Sequence, residues 1–361
     1  MLGAYARQYI RAGTKPERIL SLRLIEDVNE NQQHTLKNAI NCSGVGLHSG
    51  AKVTMCLRPA AIGSGIVFHR TDINTAISTS NMDAANTVNV TAVDADIPAR
   101  WDTVSDTVMS TTIQNDAGIK VATVEHLMAA LAGCGVDNVR VELDGPEVPV
   151  MDGSSAPFVF LIECAGLAWQ QDRRRAIRVL RRVDIDDGYR RAALLPSDGF
   201  TVSLEIQFDS PAIARQSGFF DLHNGGFKRD ICRARTFGFE HDVSRLKDLG
   251  LGQGGSLDNV VVVGRDDEIM NDGGLRYGDE FVRHKVLDCV GDFYLAGGPL
   301  LAHFAGQRTG HASNNALLRK LFADPANWEY CHDQAKPSDG LPDVWDELLR
   351  ATPISAVAQT A

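Results

Sequence analysis

The sequence lacks any Cys-x-x-Cys pair. Its seven cysteines (Cys42, Cys56, Cys134, Cys164, Cys232, Cys289 and Cys331) are odd in number and scattered, which argues against a disulfide framework or a zinc knuckle and fits a reducing compartment. No run of about 18 apolar residues is present and the N-terminus has no apolar signal core, so neither a membrane span nor export is expected. A positive surplus is missing too: the formal net charge is −10, and the densest basic cluster is only Arg173 to Arg175. No nucleic acid partner is therefore expected. HExxH, GxSxG and the GxxxxGK phosphate loop are absent, which removes the commonest zinc-peptidase, serine-hydrolase and nucleotide-triphosphatase readings. GLGQGG, from Gly250 to Gly255, matches GxGxxG in letters. A helix-like segment precedes it and a valine-rich strand follows, the reverse of the dinucleotide-fold order, so it reads as a loop.

What is present is a chain of 361 residues with 44% hydrophobic content, enough for a substantial core shared among two or three domains. Residues 1–33 carry Arg7, Arg11, Lys15, Arg18 and Arg23, with Glu17 as the first acid. They read first as a loosely docked extension and second as an organelle transit peptide; the location expected for the chain is otherwise cytoplasmic. From Thr35, short apolar runs split by Gly and Pro (GVGLHSG, AKVTMCLRPA, SGIVFHRTD, VNVTAVDADIPA) predict a strand-rich layer. ATVEHLMAALAGCG predicts a helix starting near Thr123 and stopping at Gly133. NVRVELDGPEVPVMDG predicts strand, turn and strand, and SSAPFVFLIECAGLA a second helix. The polar segment Gln170 to Arg175 is the candidate linker. After it the pattern restarts: IRVLRRVDIDDG, YRRAALLPSDG and FTVSLEIQF read as strands, followed by a helix around His284 and another from Asn314 to Phe322.

The restart suggests two similar halves. VEHLMAALAG and VRHKVLDCVG share Val-x-His and, after six further residues, Gly, which puts His126 and His284 at equivalent points of two helices. Within the second helix His284 and Asp288 stand four apart on one face. Such a pair is also what a surface hydrogen bond looks like, but with His126 brought from the other half it becomes a three-ligand metal set, with the fourth position of a catalytic zinc left for water. Glu125 lies beside His126 and about 100° around the helix, where it can reach a water rather than the ion; it also suits the positive end of a helix. His311, after Gly310 in GHASNN, is a candidate acid on a loop facing the cleft. Asp292, one turn beyond Asp288, is placed to orient that histidine and keep it protonated. Lys285 and Thr236 are candidate oxyanion donors.

Taken together, GVGLHSG, ATVEHLMAALAG, DNVRVELDGPEVPVMDGSSAPF, RARTFGF, GGSLDNVVVV, GLRYGDEFVRHKVLDCVGD and GHASNN resemble, in order and spacing, the UDP-3-O-acyl-N-acetylglucosamine deacetylases of lipid A synthesis. The resemblance covers about residues 34 to 320. It implies an α+β fold of two similar domains, each a helix layer on a β-sheet, forming a β-α-α-β sandwich with the site between them. The corresponding division is 1–33 extension, 34–169 domain I, 170–325 domain II and 326–361 C-terminal extension. It implies a monomer acting on UDP-3-O-acyl-N-acetylglucosamine with one zinc ion, iron(II) being the alternative in cells. His126, His284 and Asp288 would hold the metal and Glu125 would deprotonate the attacking water. Thr236 and Lys285 would stabilise the oxyanion, and His311, oriented by Asp292, would protonate the leaving amine. Phe237 and Phe239 would border the acyl passage. Ser110, in DTVMST, stands where related enzymes often carry a Cys able to bind an inhibitory second zinc, which implies weaker inhibition. Glu240 and Gly252 stand where bulkier or more apolar residues are common, which leaves the acyl length open. The tail contains WDELLR, a short amphipathic pattern, and has no room for a fused dehydratase. Two rival readings remain: a zinc deacetylase of another N-acyl sugar, and a non-catalytic nucleotide-sugar or metal-binding module, against which stand the intact Glu125 and His311.

Overall fold

The computed structural model describes residues 32–73, 94–223 and 225–332. Nearly all of the N-terminal extension, the VNVTAV half of VNVTAVDADIPA and the WDELLR pattern fall outside them. The fold is α+β. Its first half runs β1 (Gln32–Leu36), β2 (Ile40–Val45), β3 (Lys52–Pro59), β4 (Ile66–Arg70), β5 (Asp96–Pro98), β6 (Val104–Asp106), β7 (Thr112–Gln114) and β8 (Lys120–Val121). Then come α1 (Glu125–Cys134), β9 (Val139–Leu143), α2 (Ala156–Ala165) and β10 (Leu167–Arg173). The second half runs β11 (Ala176–Val179), β12 (Val183–Asp186), β13 (Arg191–Pro196), β14 (Phe200–Gln207), β15 (Arg215–Asp221) and β16 (Phe237–Phe239). It continues through α3 (Val243–Asp248), β17 (Val261–Val263), α4 (Glu280–Tyr294), β18 (Leu300–Gln307), α5 (His311–Phe322) and β19 (Trp328–Cys331).

The two halves share one strand order. In the first sheet β9 is central, antiparallel to β3 and parallel to β4, with β2 and β5 outside them as antiparallel partners. In the second, β18 is central, antiparallel to β13 and parallel to β14, with β12 and β15 in the flanking places. Helices repeat as well: α1 precedes and α2 follows β9, as α4 precedes and α5 follows β18. The shared Val-x-His therefore lies on matching helices. The period-2 pattern explains the first sheet, since Val53, Met55 and Leu57 of β3 are buried while Lys52 and Thr54 are exposed. Helix α2 packs on β2, α4 and α5 pack on strands of the second sheet, and α1 packs along α4. Because α1 and α4 sit inside, they are buried nearly all round. None of the described helices is long and apolar enough to cross a membrane.

Four local expectations change. The segment Gln170 to Arg175 is mostly strand, with β10 antiparallel to β1. Two of its polar side chains are paired, Gln170 accepting from Asn138 Nδ2 at 2.7 Å and donating to the Ala60 carbonyl at 2.9 Å, and Arg174 meeting Asp137 at 2.7 Å, while Gln171, Asp172, Arg173 and Arg175 face outward. Helix α1 runs past Gly133 and stops at Gly135, whose φ of 70° is the left-handed cap. Gly133 is there for space, since a β-carbon on it would meet the Phe227 ring at 2.0 Å. Helix α5 begins at His311, three residues before Asn314, so His311 is a first-turn residue and not a loop residue. The second strand expected in NVRVELDGPEVPVMDG reduces to isolated bridges at Glu147 and Pro149, as prolines at 146 and 149 remove ladder donors.

Candidate active site

One buried carboxylate fixes how α1 enters the site. Glu147 accepts the backbone N–H of His48 and of Ser49, both at 2.8 Å, the Ser49 hydroxyl at 2.6 Å and the Thr123 hydroxyl at 2.9 Å. Thr123 holds a φ of 57°, a left-handed conformation a threonine adopts only when its surroundings impose it. Two residues later α1 begins with Glu125 and His126. The Gly46 to Gly50 turn bound by Glu147 is in turn covered by the GLGQGG stretch: Gly254 N–H donates to Leu47 O at 3.0 Å, and a β-carbon on Gly254 would lie 2.2 Å from Gly46 O. Those glycines permit backbone contact between the halves, so the stretch is the loop expected. Gly252 has a φ of 64°, so a glycine there is a requirement of the turn.

The α1 and α4 crossing brings His126, His284 and Asp288 together, all buried, with one ligand-type atom from each within 4.8 Å of the others. His284 Nδ1 lies 3.2 Å from the Ala234 carbonyl. A carbonyl only accepts, so Nδ1 carries the proton and Nε2 keeps its lone pair. That lone pair faces Asp288 Oδ1 at 3.3 Å, and His126 Nε2 faces the same oxygen at 3.6 Å, too long for a hydrogen bond. Asp288 Oδ1 is buried and has no hydrogen-bond partner among the described residues. Burial, against the pull of Asp288, lowers the His284 pKa to about 3, so the ring is neutral. Asp288 stays ionised: although burial opposes its charge, cationic neighbours, of which the Lys285 ammonium persists when His284 is neutral, hold its pKa well below the usual carboxylate value. Lys285 Nζ donates to Asp288 Oδ2 at 2.7 Å. The lysine expected as an oxyanion donor is thus also the neutraliser of the outer carboxylate oxygen.

Glu125 and His311 line the same cavity of about 310 Å³ as the cluster, and so do Thr236, Lys285, Phe237 and Phe239. Burial raises the Glu125 pKa, which makes it a better proton acceptor than an ordinary carboxylate, while His311 and His126 restrain the rise. His311 Nδ1 meets Asp292 Oδ2 at 2.8 Å. Burial works against its charge, but Asp292 outweighs it and raises the His311 pKa to about 9. Thr236 is fixed by its N–H to Gly153 O and by its carbonyl accepting from Val261 N–H, both at 2.8 Å. Arg235, just before it, is buried against Glu280 of α4. Phe237 stacks edge-on to Phe281 at 4.9 Å between ring centres, and Phe239 lies 5.9 Å from Phe208.

All ten residues singled out from the sequence gather in this cavity or directly behind it. Several others were not singled out. Phe208, Leu47, Met109 and Leu246 complete the apolar wall; Leu47 lies inside GVGLHSG, but nothing in a sequence marks which face of a turn reaches a cavity. Asn314 donates to Asp292 Oδ2 at 2.8 Å, and Thr111 binds Asp292 and Glu125. Ser110 is buried next to it.

Fold and site define a class: α+β proteins with paired, equivalent sheets whose facing helices carry a buried His-His-Asp cluster flanked by a glutamate and a His–Asp pair. Within that class, the model of the family described as UDP-3-O-acyl N-acetylglycosamine deacetylase (LpxC) matches residues 33–323, and the chain belongs to this family. A UDP-3-O-acyl-N-acetylglucosamine deacetylase of Hahella chejuensis is 47% identical over 300 residues, covering 82% of this chain and 93% of the relative. One of Pseudomonas entomophila is 47% identical over 302 residues, covering 82% and 92%.

Proposed function

We propose that this protein is a zinc-dependent deacetylase that hydrolyses the C2 acetamide of UDP-3-O-acyl-N-acetylglucosamine to the free amine and acetate, the committed step of lipid A biosynthesis in the cytoplasm. The observation that carries the reading is the contact of the His284 Nε2 lone pair with the unpartnered oxygen of an ionised Asp288. Two electron-pair donors at that distance repel unless a cation lies between them. With bonds of about 2.0–2.1 Å, neighbouring donors on a zinc tetrahedron stand about 3.4 Å apart, close to the separations at Asp288 Oδ1. Two imidazoles and a carboxylate suit zinc, and iron(II) is the alternative for the same donor set.

His126, His284 and Asp288 would hold the ion, which supplies Lewis acidity toward a water and the amide carbonyl. Glu125 removes the proton of the attacking water. The Thr236 hydroxyl donates to the oxyanion that develops on the acetamide, and Lys285 adds positive charge beside it. His311, held as imidazolium by Asp292, gives its proton to the departing nitrogen. Phe237 and Phe239, with Phe208, form the apolar wall along which the 3-O-acyl chain would lie.

The repeated strand order and the α1–α4 contact support a two-domain reading, 34–169 and 170–325, in a β-α-α-β sandwich with the site between domains. Strand β19 then belongs to the second sheet's edge, since it pairs with β11. Acetate release from a UDP-3-O-acyl-GlcNAc series, with and without chelator, tests the function. No release from any member, or release indifferent to complete metal removal, would overturn it.

A further inference from the structure

We propose that Thr111 is a positioning residue that ties the proton-removing end of the site to its proton-giving end; this rests on the deacetylase reading above. Thr111 lies at the turn between β6 and β7, 2% exposed. Three of its groups are committed. Its N–H donates to Glu125 Oε2 at 3.0 Å, its carbonyl accepts from Val124 N–H at 3.2 Å, and its hydroxyl donates to Asp292 Oδ1 at 2.6 Å. One residue thus grips the start of α1 in the first half and the last turn of α4 in the second. Neither Glu125 nor Asp292 reaches the other through a bond of its own, and Thr111 does not line the cavity.

The hydroxyl has a specific task. Asp292 Oδ2 already faces His311 Nδ1 and Asn314 Nδ2, both at 2.8 Å. Thr111 supplies the donor to the opposite oxygen, so the carboxylate cannot rotate about its bond to Cβ without losing that contact. A threonine is stiff at χ1, so its hydroxyl holds the direction that a serine would have to find among more rotamers. The backbone beside it is constrained as well: Met109, two residues earlier, has a φ of 63°. Loss of the hydroxyl leaves the backbone grip on Glu125 intact, frees one side of Asp292 and lets His311 drift from the leaving nitrogen. A misplacement of about 1 Å at a reacting group costs up to roughly hundredfold in rate.

The test compares zinc-loaded, full-length wild type with Thr111→Val, Thr111→Ser, Asp292→Asn and the double variant Thr111→Val/Asp292→Asn. Thr111→Val is expected to lower kcat about tenfold to hundredfold at nearly unchanged KM and zinc content, and Thr111→Ser to recover most of it. In the Asp292→Asn background the valine should cost little more, because its effect passes through that carboxylate. A second readout is independent of turnover: a downfield imidazole N–H proton resonance from the His311–Asp292 bond, absent in Asp292→Asn, should shift or vanish in Thr111→Val. Wild-type kcat in Thr111→Val, full additivity with Asp292→Asn, or an unmoved resonance would overturn the proposal. Thr111→Ser keeps the comparison informative if the valine variant folds poorly, since a serine as inactive as valine would also overturn it. A wild type that shows the resonance but releases no acetate would count against the deacetylase reading, while the resonance in Thr111→Val still decides the contact.

Discussion

A β-carbon on Gly291 would fall 2.0 Å from the carbonyl oxygen of Glu125. Helices α4 and α1 therefore touch backbone to backbone at the turn that carries Glu125 and His126. Alanine normally favours a helix interior over glycine by about 1 kcal/mol; here the contact reverses the sign. Gly291→Ala is expected to destabilise the fold by about 1–3 kcal/mol through overpacking and to lower zinc occupancy as His126 is pushed from Asp288. Urea unfolding and metal analysis check this, and a variant as stable as wild type would contradict the close approach.

Glu125 and His284 should fail in different ways. Glu125→Ala is expected to keep about one zinc per chain and lose roughly 10²–10⁴ in kcat, the usual worth of a general base. His284→Ala should lose the metal itself, because two donors hold a catalytic zinc poorly. Metal content and acetate release measured on the same preparations separate the two roles; undiminished turnover in Glu125→Ala would remove its assignment as base.

The alkaline limb of the pH profile should report His311. Its folded pKa, about 9 against an ordinary 6.5, means that the acid form is full well below pH 9 and is lost as pH rises through that value. Asp292→Asn removes the largest counter-charge and leaves only the more distant Glu125 and Asp288 against burial, so the alkaline limb of kcat/KM should move downward by about one unit or more. An unmoved limb would assign it to another group.

Glu280 carries a structural prediction. It is fully buried and accepts from the Arg235 backbone at 3.0 Å and side chain at 2.8 Å, and from Arg276 N–H at 2.6 Å. Glu280→Ala leaves the Arg235 guanidinium without its counter-charge, the Gly274 carbonyl remaining its acceptor, and is expected to cost about 3–5 kcal/mol, read in the melting temperature. Thr236 follows Arg235, so activity should fall with stability.

Much of the site was legible because its chemistry is carried by rare residue types at fixed spacing. His284 and Asp288 needed only the helical period to share a face, and the Val-x-His match placed His126 opposite them. The misreadings have a common cause. Gln170 to Arg175 looks like a linker because polarity in sequence does not say whether a side chain meets water or another strand. Gly133 looks like a helix stop because sequence does not distinguish a glycine kept for its φ from one kept for the space it leaves.

The sequence by itself determined the alternating strands, the two interior helices and the identity of every proposed metal ligand, since periodicity and side-chain chemistry are local properties. Tertiary structure alone decided what joins them. That Gly291 admits the backbone of α1, that Ala234 fixes the tautomer of His284, and that Thr111 spans Glu125 and Asp292 are contacts between residues far apart in the chain. Only packing of the two halves brings such groups within hydrogen-bond reach, and in a buried site each of those bonds has no water to replace it.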